Sequence, residues 1–373
     1  METVKTVKPL RLLVIMEMGL KYPSGFLRAW AYRKHFEKAG WTAKFVSHHF
    51  TGPLLWHIKP LYRLYTYLNE LRLVRLAASC DAVYMCKVQS PRLIGLLRRR
   101  TKARLVLDFG DAVWMPRYGS RSSGQYSSSS APLSGDENPE FSALLPMLDA
   151  VTTDNELTAA YVRRFNPNCT VVPDSPQIEK FDEARGKALK NTDGTVTLGW
   201  IGSQSTAYNL FLIWEALERL SAKHPDLNLR LVGTGNDMRL IPPFEKVRYS
   251  CVEKYTQEEM IREVLKMDIG LFPLQDVEAS RVRGVLKASV YMSGEAAVIS
   301  SPVGQCADFI KDGVNGLLAA DDGEWERKLD LLIRDKQLRQ KLVKGGLETV
   351  RGKLTLDRAF ETLRPVIEGE SHV

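Results

Sequence analysis

The chain has 373 residues, of which 44% are hydrophobic and 26% are charged. This length exceeds one ordinary core and predicts two domains of roughly 150 to 200 residues each. The composition excludes wholesale disorder, and the longest apolar runs fall far short of the ~20 residues that span a bilayer, so no transmembrane helix is expected.

The positive charge is concentrated in the first third of the chain. The net charge is +8, and residues 1–118 carry 21 lysines and arginines against 7 acidic residues. Such a basic first domain fits an anionic membrane, a phosphorylated acceptor or nucleic acid. No aromatic RNA-binding signature, zinc finger or helix-turn-helix accompanies the charge, so nucleic acid is not an expected partner.

The cysteines and histidines indicate a reduced, metal-free protein. Five scattered cysteines without CxxC spacing are typical of free thiols in the cytosol. His48 and His49 are neighbours that would point to opposite faces of a strand, so no metal site is predicted. The N-terminal apolar run favours a first strand over a signal peptide, which predicts a cytoplasmic protein, with peripheral contact at the inner face of an anionic membrane left open.

Residues 1–180 alternate between strand and helix patterns, which predicts a parallel α/β sheet. Strands are expected at 12–16, 43–47, 82–86, 105–109 and 170–172. Helices are expected at 26–39, 91–100 and 155–165.

Two segments of this domain keep alternatives open. The basic, leucine- and tyrosine-rich stretch 57–79 is helical in period, and it either packs on the sheet with a solvated basic face or lies on a membrane surface. Residues 119–138 are rich in serine and glycine, which predicts a mobile loop that is either an acceptor lid or a disordered insertion.

A polar stretch at 173–194 predicts an interdomain linker, after which a second domain begins at 195 and ends near 352. Strands at 195–201 and 227–232 flank a helix at 207–220, and residues 353–373 form a terminal amphipathic helix. In such sheets ligands bind beyond the carboxyl ends of the strands, which selects three turns, at 19–25, 202–206 and 233–236.

The turn at 202–206 suits a diphosphate, because Gly202 permits close backbone approach and three hydroxyl side chains follow it. A Ser/Thr-rich helix cap without a ligand explains the same residues. Downstream, Arg281, Arg283 and Lys287 precede or begin a helix, which indicates a phosphate clamp, with ordinary basic surface as the alternative. The lack of a G-x-G-x-x-G fingerprint disfavours a nicotinamide dehydrogenase.

Several motifs, in this order and spacing, resemble family 4 glycosyltransferases: GWIGSQST, LVGTG, DIGLFPL, LKASVYM and ISSPVGQCADFIKDGVNGLLA. The resemblance covers most of residues 195–350 and, more weakly, DFGDAVW and AVTTDNELTAAYV. It implies two facing Rossmann-like domains, the B-type glycosyltransferase fold. It also implies hexosyltransferase-like transfer from a nucleotide-sugar, usually with retention at the anomeric carbon and with no metal or other cofactor.

The resemblance also assigns roles to residues. The nucleotide lies on the C-terminal domain, and the acceptor, a polysaccharide, glycolipid or glycoprotein glycan, lies largely on the N-terminal one. The implied diphosphate contacts are Gly202, Ser203, Ser205 and Thr206, the implied base contacts are Gly233 and Gly235, and the implied charge-compensating residues are Arg281, Arg283 and Lys287. The implied acceptor-side residues are Gly25, Lys87, Asp108 and Asp111.

Asp108 and Asp111 either orient an acceptor hydroxyl or the donor sugar, or serve as a helix cap and a solvated turn. A terminal helix in the family crosses back to the first domain, so residues 353–373 are expected to do so here.

The chain departs from the family at the ribose-binding position. Family members carry K-x-x-E there, whereas Val290 stands in place of the carboxylate, Glu295 in place of a glycine and Ala297 in place of a proline. Glu295 either substitutes for the missing acceptor or is exposed. The departures keep a second hypothesis open, a catalytically silent nucleotide-binding subunit that acts as a scaffold. A sugar-nucleotide epimerase with paired domains is a third, which no motif supports.

Overall fold

A computed structural model describes residues 9–21, 23–49, 58–114, 138–186 and 194–370. The chain divides into two compact units. Among the described residues, the first unit contains those up to 174 together with 356–370, and the second contains those from 175 to 355. The predicted loop at 119–138 lies outside the described residues, apart from Asn138.

The first unit contains a six-stranded sheet in the order β2-β1-β3-β4-β5-β6, in which every neighbouring pair is parallel. The six strands are β1 (Arg11–Met16), β2 (Thr42–Ser47), β3 (Ala82–Cys86), β4 (Arg104–Asp108), β5 (Ala150–Thr153) and β6 (Cys169–Val171). Those expected from the sequence lie close to their predicted positions. β1, β3 and β4 are mostly buried apolar runs, as expected where both faces of a parallel sheet are covered, whereas β2 is more polar and largely accessible.

The first helix differs from the prediction. Instead of one helix over 26–39, the chain forms two short α-helices, Pro23–Leu27 and Arg33–Lys38, with a 3-10 turn at Trp30–Tyr32 between them. Ala29 has a non-helical backbone conformation there, and its neighbour Arg28 is held by a buried ion pair. The other α-helices among the described residues of the first unit are Lys59–Ala77, Pro91–Arg100, Pro139–Ser142, Glu156–Arg163 and Leu356–Glu368.

The terminal helix Leu356–Glu368 packs on the first unit. Its buried residues Phe360 and Leu363 join the same apolar cluster as Leu12, Phe36 and Trp41. Polar contacts also hold it there, since His35 Nε2 lies 2.8 Å from Asp357 Oδ1 and Arg104 Nε donates to the Val366 carbonyl at 2.8 Å.

The second unit also has a six-stranded parallel sheet, in the order β12-β11-β10-β7-β8-β9. Its strands are β7 (Thr197–Ile201), β8 (Asn228–Val232), β9 (Tyr249–Val252), β10 (Ile269–Phe272), β11 (Ala297–Ser300) and β12 (Leu317–Leu318). Its helices are Ile178–Arg185, Trp214–Lys223, Gln257–Val264, Glu278–Arg281, Leu286–Ser293, Gln305–Phe309, Asp322–Arg334 and Lys336–Lys353.

Two local predictions in this unit were wrong. The stretch read as a linker contains the helix Ile178–Arg185, because Ile178 and Phe181 bury their side chains in the core of the unit. The helix expected from 207 begins as a 3-10 segment, Gln204–Ile213, and becomes α-helical only at Trp214. Side-chain bonds from Thr206 and Asn209 to nearby carbonyls compete with the α-helical pattern there.

Both sheets are doubly wound, and each contains a point where the strand order reverses. The reversal lies between β1 and β3 in the first sheet and between β7 and β10 in the second. Ligands of such folds bind outside the carboxyl ends of the strands at this point. The predicted α/β class with two Rossmann-like parallel sheets is confirmed.

Candidate functional site

In the second unit, the turns after β7 and β8 lie against each other. The Gly202 N–H donates to the Val232 carbonyl at 2.9 Å, and the Gly233 N–H donates to the Val252 carbonyl at 2.7 Å. A Cβ at Gly202 would lie 2.8 Å from Thr206 Oγ1, and one at Gly233 would lie 2.6 Å from the Tyr255 ring. Only glycine fits at these two predicted positions, because real Cβ atoms do not approach other atoms so closely.

The predicted hydroxyl side chains form one hydrogen-bonded group after Gly202. Ser203 Oγ and Ser205 Oγ are 3.0 Å apart, and both residues are exposed. The Thr206 hydroxyl donates to the Ser203 carbonyl at 3.0 Å and accepts from the Ser203 N–H at 3.2 Å. Thr206 therefore shapes the turn, while the two serines remain accessible to a ligand.

Lys287 reaches the strand-order reversal of this sheet from the first turn of helix Leu286–Ser293. Its Nζ lies 5.1 Å from the ring centre of Trp200 in β7 and 5.6 Å from that of Phe272 in β10, and it donates to Thr206 Oγ1 at 3.2 Å. Within the described residues it pairs with no carboxylate. Burial, followed by the charge of Arg283, lowers the pKa of Lys287 to about 7. An anion bound here would supply the missing countercharge.

The other two predicted cations differ from each other. Arg281 is exposed and pairs with Asp276, with Nε 2.7 Å from Oδ1. Arg283 is half-buried and close enough to Lys287 to lower its pKa, and the described part of the chain gives it no acidic partner. Of the predicted clamp, Lys287 and Arg283 thus carry uncompensated charge, whereas the charge of Arg281 is offset.

A further turn, missed from the sequence, closes on the arginine segment. Gly304 has a φ of +56°, and a Cβ there would lie 2.7 Å from Arg281 Cα. The turn follows β11, so its place next to the clamp could have been expected from strand order alone. Gly235, with a φ of +70°, likewise packs on the Gln204 side chain.

Val290 and Glu295 do not form a carboxylate site. Val290 is buried in the apolar cluster that includes Ile201 and Tyr291. Glu295 follows the end of the same helix and lies 2.9 Å from Arg185 Nε through its Oε1. Arg185, on the helix Ile178–Arg185, therefore pairs with the Glu295 carboxylate, which the sequence offered as a substitute for the missing family residue.

In the first unit, Asp108 at the end of β4 is buried and fully engaged. Its carboxylate accepts two hydrogen bonds from Arg28, both at 2.7 Å, and one from the Thr152 hydroxyl at 2.6 Å. Arg28 also pairs with Asp174. The sequence prediction placed Asp108 in contact with acceptor or sugar, but the structure gives its oxygens to Arg28 and Thr152, so Asp108 positions its neighbours instead.

Asp154, which the sequence reasoning missed, lies in the same cluster. Burial and then the charge of Asp174 raise its pKa to about 7, against the opposing charge of Arg28. A Cβ at Gly110 would lie 2.8 Å from the Asp154 carboxylate. The signal in the sequence was an acidic residue at or shortly after the end of each of three adjacent strands, β4, β5 and β6, since the carboxyl ends of parallel strands share one edge.

The remaining acceptor-side predictions lie at the same edge. Lys87 follows β3 with a φ of +58°, and its ammonium pairs with the exposed Asp111. Gly25 follows β1, and a Cβ there would collide with the Gly19 carbonyl. Gly25 and Lys87 therefore flank the strand-order reversal of the first sheet, and Asp111 is joined to them through Lys87.

Metal-binding clusters and membrane-spanning helices are both absent from the described residues. These residues contain no group of three or more His, Cys, Asp or Glu residues placed to hold a metal ion. No helix among them has the length and apolar character needed to cross a membrane.

Comparison with solved structures identifies the architecture. A glycosyltransferase from Rickettsia africae is similar over 98% of this chain and 99% of its own, with a TM-score of 0.68 and 14% identity. Sucrose-phosphate synthase from Thermosynechococcus elongatus matches over 96% of this chain and 98% of its own, with a TM-score of 0.68 and 14% identity. The chain has the B-type glycosyltransferase fold.

A third similar structure contains bound ligands. Anabaena HepE, in complex with UDP and glucose, has a TM-score of 0.63 and 12% identity, covering 96% of this chain and 99% of its own. In sequence, residues 195–335 match the family model described as glycosyl transferases group 1. A search of curated protein sequences gave no match. The family match thus covers the turns that carry Gly202 and Gly233 and the helix that carries Lys287.

Proposed function

We propose that the chain is a nucleotide-sugar-dependent glycosyltransferase of family 4, with hexosyltransferase activity and retention of anomeric configuration. The observation that carries the proposal is the uncompensated ammonium of Lys287 at the strand-order reversal of the second sheet. It lies within the segment that matches the group 1 glycosyltransferase model. A nucleoside diphosphate is the anion expected at such a point.

The proposed chemistry uses the charges of this site. The acceptor hydroxyl oxygen bonds to the anomeric carbon, the bond from that carbon to the diphosphate oxygen breaks, and the hydroxyl proton leaves with the nucleoside diphosphate. Lys287 and Arg283 stabilise the charge that develops on the leaving group, with no metal or other cofactor required. Ser203 and Ser205 donate hydrogen bonds to the diphosphate, and the turn at Gly233 and Gly235 borders the base.

The acceptor belongs to the first unit in this proposal. Lys87 and Asp111 lie at the carboxyl edge of the sheet in that unit, and these two residues contact the acceptor. Asp108 does not touch the acceptor and acts through Arg28. The acceptor is a glycan, a lipid-linked sugar or a glycoprotein.

The test measures nucleotide binding and turnover separately. UDP, GDP and dTDP should be screened for an increase in melting temperature, with and without EDTA, because a ligand that binds only the folded state stabilises it. Lys287→Met and Arg283→Gln should each weaken the binding of the selected nucleotide roughly 10- to 100-fold, as expected for a charge-assisted contact. Lys344→Met, on an exposed helix position, is the matched control.

Measuring turnover then distinguishes an active glycosyltransferase from a subunit that only binds nucleotide. The matching nucleotide-sugar should release nucleoside diphosphate in the presence of an acceptor, and the coupling constant of the product's anomeric proton reports retention. If no nucleotide stabilises the protein, or if Lys287→Met binds as the wild type does, the proposal fails.

A second candidate is a nucleotide-binding subunit without catalytic activity, which Val290 favours. Its buried side chain offers no hydrogen-bond acceptor for a ribose hydroxyl. This candidate predicts nucleotide binding that is measurable but weakened by the missing ribose contact, with no turnover of any nucleotide-sugar. Val290→Gln is the informative variant, because glutamine supplies a hydrogen-bond acceptor. A glutamate at this position would cost more free energy to bury in the apolar cluster than a glutamine does.

A further inference from the structure

The helix Lys59–Ala77 has apolar residues on two opposite faces. One face packs inside the first unit through Leu73, Val74 and Ala77. On the other face, Leu61, Leu64 and Leu68 follow one another at helical spacing and are 48%, 53% and 54% exposed. Ile58, just before the helix, is 48% exposed. We call these four residues the leucine stripe.

Hydrogen bonds fix the rotation of the helix, so the stripe faces outwards. Asn69 Nδ2 donates to the His48 carbonyl at 2.7 Å, and Tyr62 Oη lies 2.8 Å from His49 Nδ1. The buried carboxylate of Glu70 is engaged by His48, Ser90 and Arg92. Although burial raises the pKa of Glu70, these hydrogen bonds outweigh it and lower the pKa to about 2.

The charge beside the stripe has one sign. Arg72 and Arg75 are exposed and continue the same helical face beyond Leu68. The only acidic residue of the helix, Glu70, is buried and already paired. Leucines followed by unpaired arginines on one face match the boundary between acyl chains and anionic headgroups.

We propose that the leucine stripe and the arginines beyond it dock on an anionic phospholipid bilayer. A second copy of the same face supplies no acidic residue to pair with Arg72 and Arg75, whereas anionic headgroups do. Three adjacent leucines left in water on an ordered helix, with Ile58 just before it, are also more than scattered surface exposure requires.

The position of the leucine stripe indicates the chemical class of the acceptor. A helix that connects two parallel strands begins at the carboxyl edge of the sheet, so the stripe, in the first half of the helix, lies towards the edge that carries Lys87 and Asp111. A bilayer bound there is close to the acceptor-side residues. The acceptor is therefore a lipid-linked sugar, a point that rests on the proposed function, whereas membrane docking does not.

Vesicle co-sedimentation of the full chain tests the docking. The wild type should bind vesicles of phosphatidylcholine mixed with phosphatidylglycerol, bind neutral phosphatidylcholine vesicles at least tenfold more weakly, and lose affinity as salt is added. The combined variant Leu61→Gln, Leu64→Gln, Leu68→Gln should lose at least tenfold in affinity. Arg72→Gln with Arg75→Gln should weaken binding and flatten its salt dependence.

The control is Leu157→Gln, because Leu157 is also 48% exposed and lies on another helix of the same unit. It should bind vesicles as the wild type does. Wild-type protein that fails to bind anionic vesicles, or stripe variants that bind normally, would overturn the proposal. A concentration-dependent dimer that the stripe variant abolishes, with no vesicle binding, would assign the face to a second copy instead.

Nucleotide stabilisation measured without vesicles keeps the two proposals separate. Vesicle binding without nucleotide binding would leave the membrane surface and remove the inference on the acceptor. Nucleotide binding without vesicle binding would leave the proposed function and remove both the membrane surface and the inference on the acceptor.

Discussion

The carboxyl edges of the two sheets carry surplus charge of opposite sign. In the second unit, Lys287 and Arg283 have no acidic partner within the described residues. In the first unit, one buried arginine, Arg28, faces three aspartates, Asp108, Asp154 and Asp174. Although the two sheets have the same fold class, the charge at the edge of the second sheet favours binding of an anion. The charge at the edge of the first sheet favours a neutral or protonated group. The pKa values follow, since that of Lys287 is lowered and that of Asp154 is raised.

The largest expected effect is a loss of folding stability when the aspartate cluster of the first unit loses Arg28. Arg28→Met removes the arginine that pairs with Asp108 and Asp174 in a buried cluster of carboxylates and should destabilise the protein by about 3–5 kcal/mol, as breaking a buried ion pair does. Urea unfolding at neutral pH measures the change. Arg11→Met, at an exposed ion pair, is the control and should cost no more than about 1 kcal/mol. Equal effects at the two sites would mean that Arg28 does not hold the cluster together.

At Lys287, in the second unit, the expected effect is a pH dependence of nucleotide binding. Lys287 has its pKa lowered to about 7 in the free protein, so above that pH it is mostly neutral, and binding a diphosphate must take up a proton. Affinity should therefore fall as pH rises above 7, by up to about tenfold per unit. Calorimetry in buffers of different ionisation enthalpy measures the proton uptake. Lys287→Met should remove it, and a wild-type profile that is flat between pH 7 and 9 would contradict the prediction.

The smallest expected effect concerns Asp154. Its pKa is raised from 3.8 to about 7, so between these values the folded state holds a proton that the unfolded state has lost. The stability contributed by this group is present below pH 4 and is lost as pH rises through 7. Asp154→Asn should stabilise the protein by about 1 kcal/mol at pH 8 and by less at pH 5. Denaturant titrations at both pH values measure this, and a gain that is larger at pH 5 would disprove the assignment.

The fold could be predicted from the sequence to the extent that apolar runs determine it. All strands expected at Leu12–Met16, Ala82–Cys86 and similar runs were confirmed, because a strand buried on both faces leaves an unbroken apolar pattern. The broken helix before Lys38 was not predicted, since its interruption depends on Arg28 and on partners 80 and 146 residues away.

The candidate site was predictable in the same uneven way. Glycines and hydroxyl side chains at strand ends identified the turns of the second unit, because strand order alone brings those turns together. The pairing of Asp108 with Arg28, and the resulting surplus at Asp154, required knowledge of which side chains meet across the fold. Helical periodicity likewise could not separate the leucine stripe from the packed face of helix Lys59–Ala77, because both faces are apolar.

The interlocked glycine turns have a consequence for the thermodynamics and the evolution of the pocket. Because Gly202, Gly233 and Gly235 are held by neighbouring atoms at distances that exclude a side chain, the floor of the proposed nucleotide site is already ordered in the folded protein. Little conformational entropy remains to be lost when a ligand arrives. The same contacts tie the two turns together as one mutational unit, so a substitution in either turn would have to be accompanied by a change in the other.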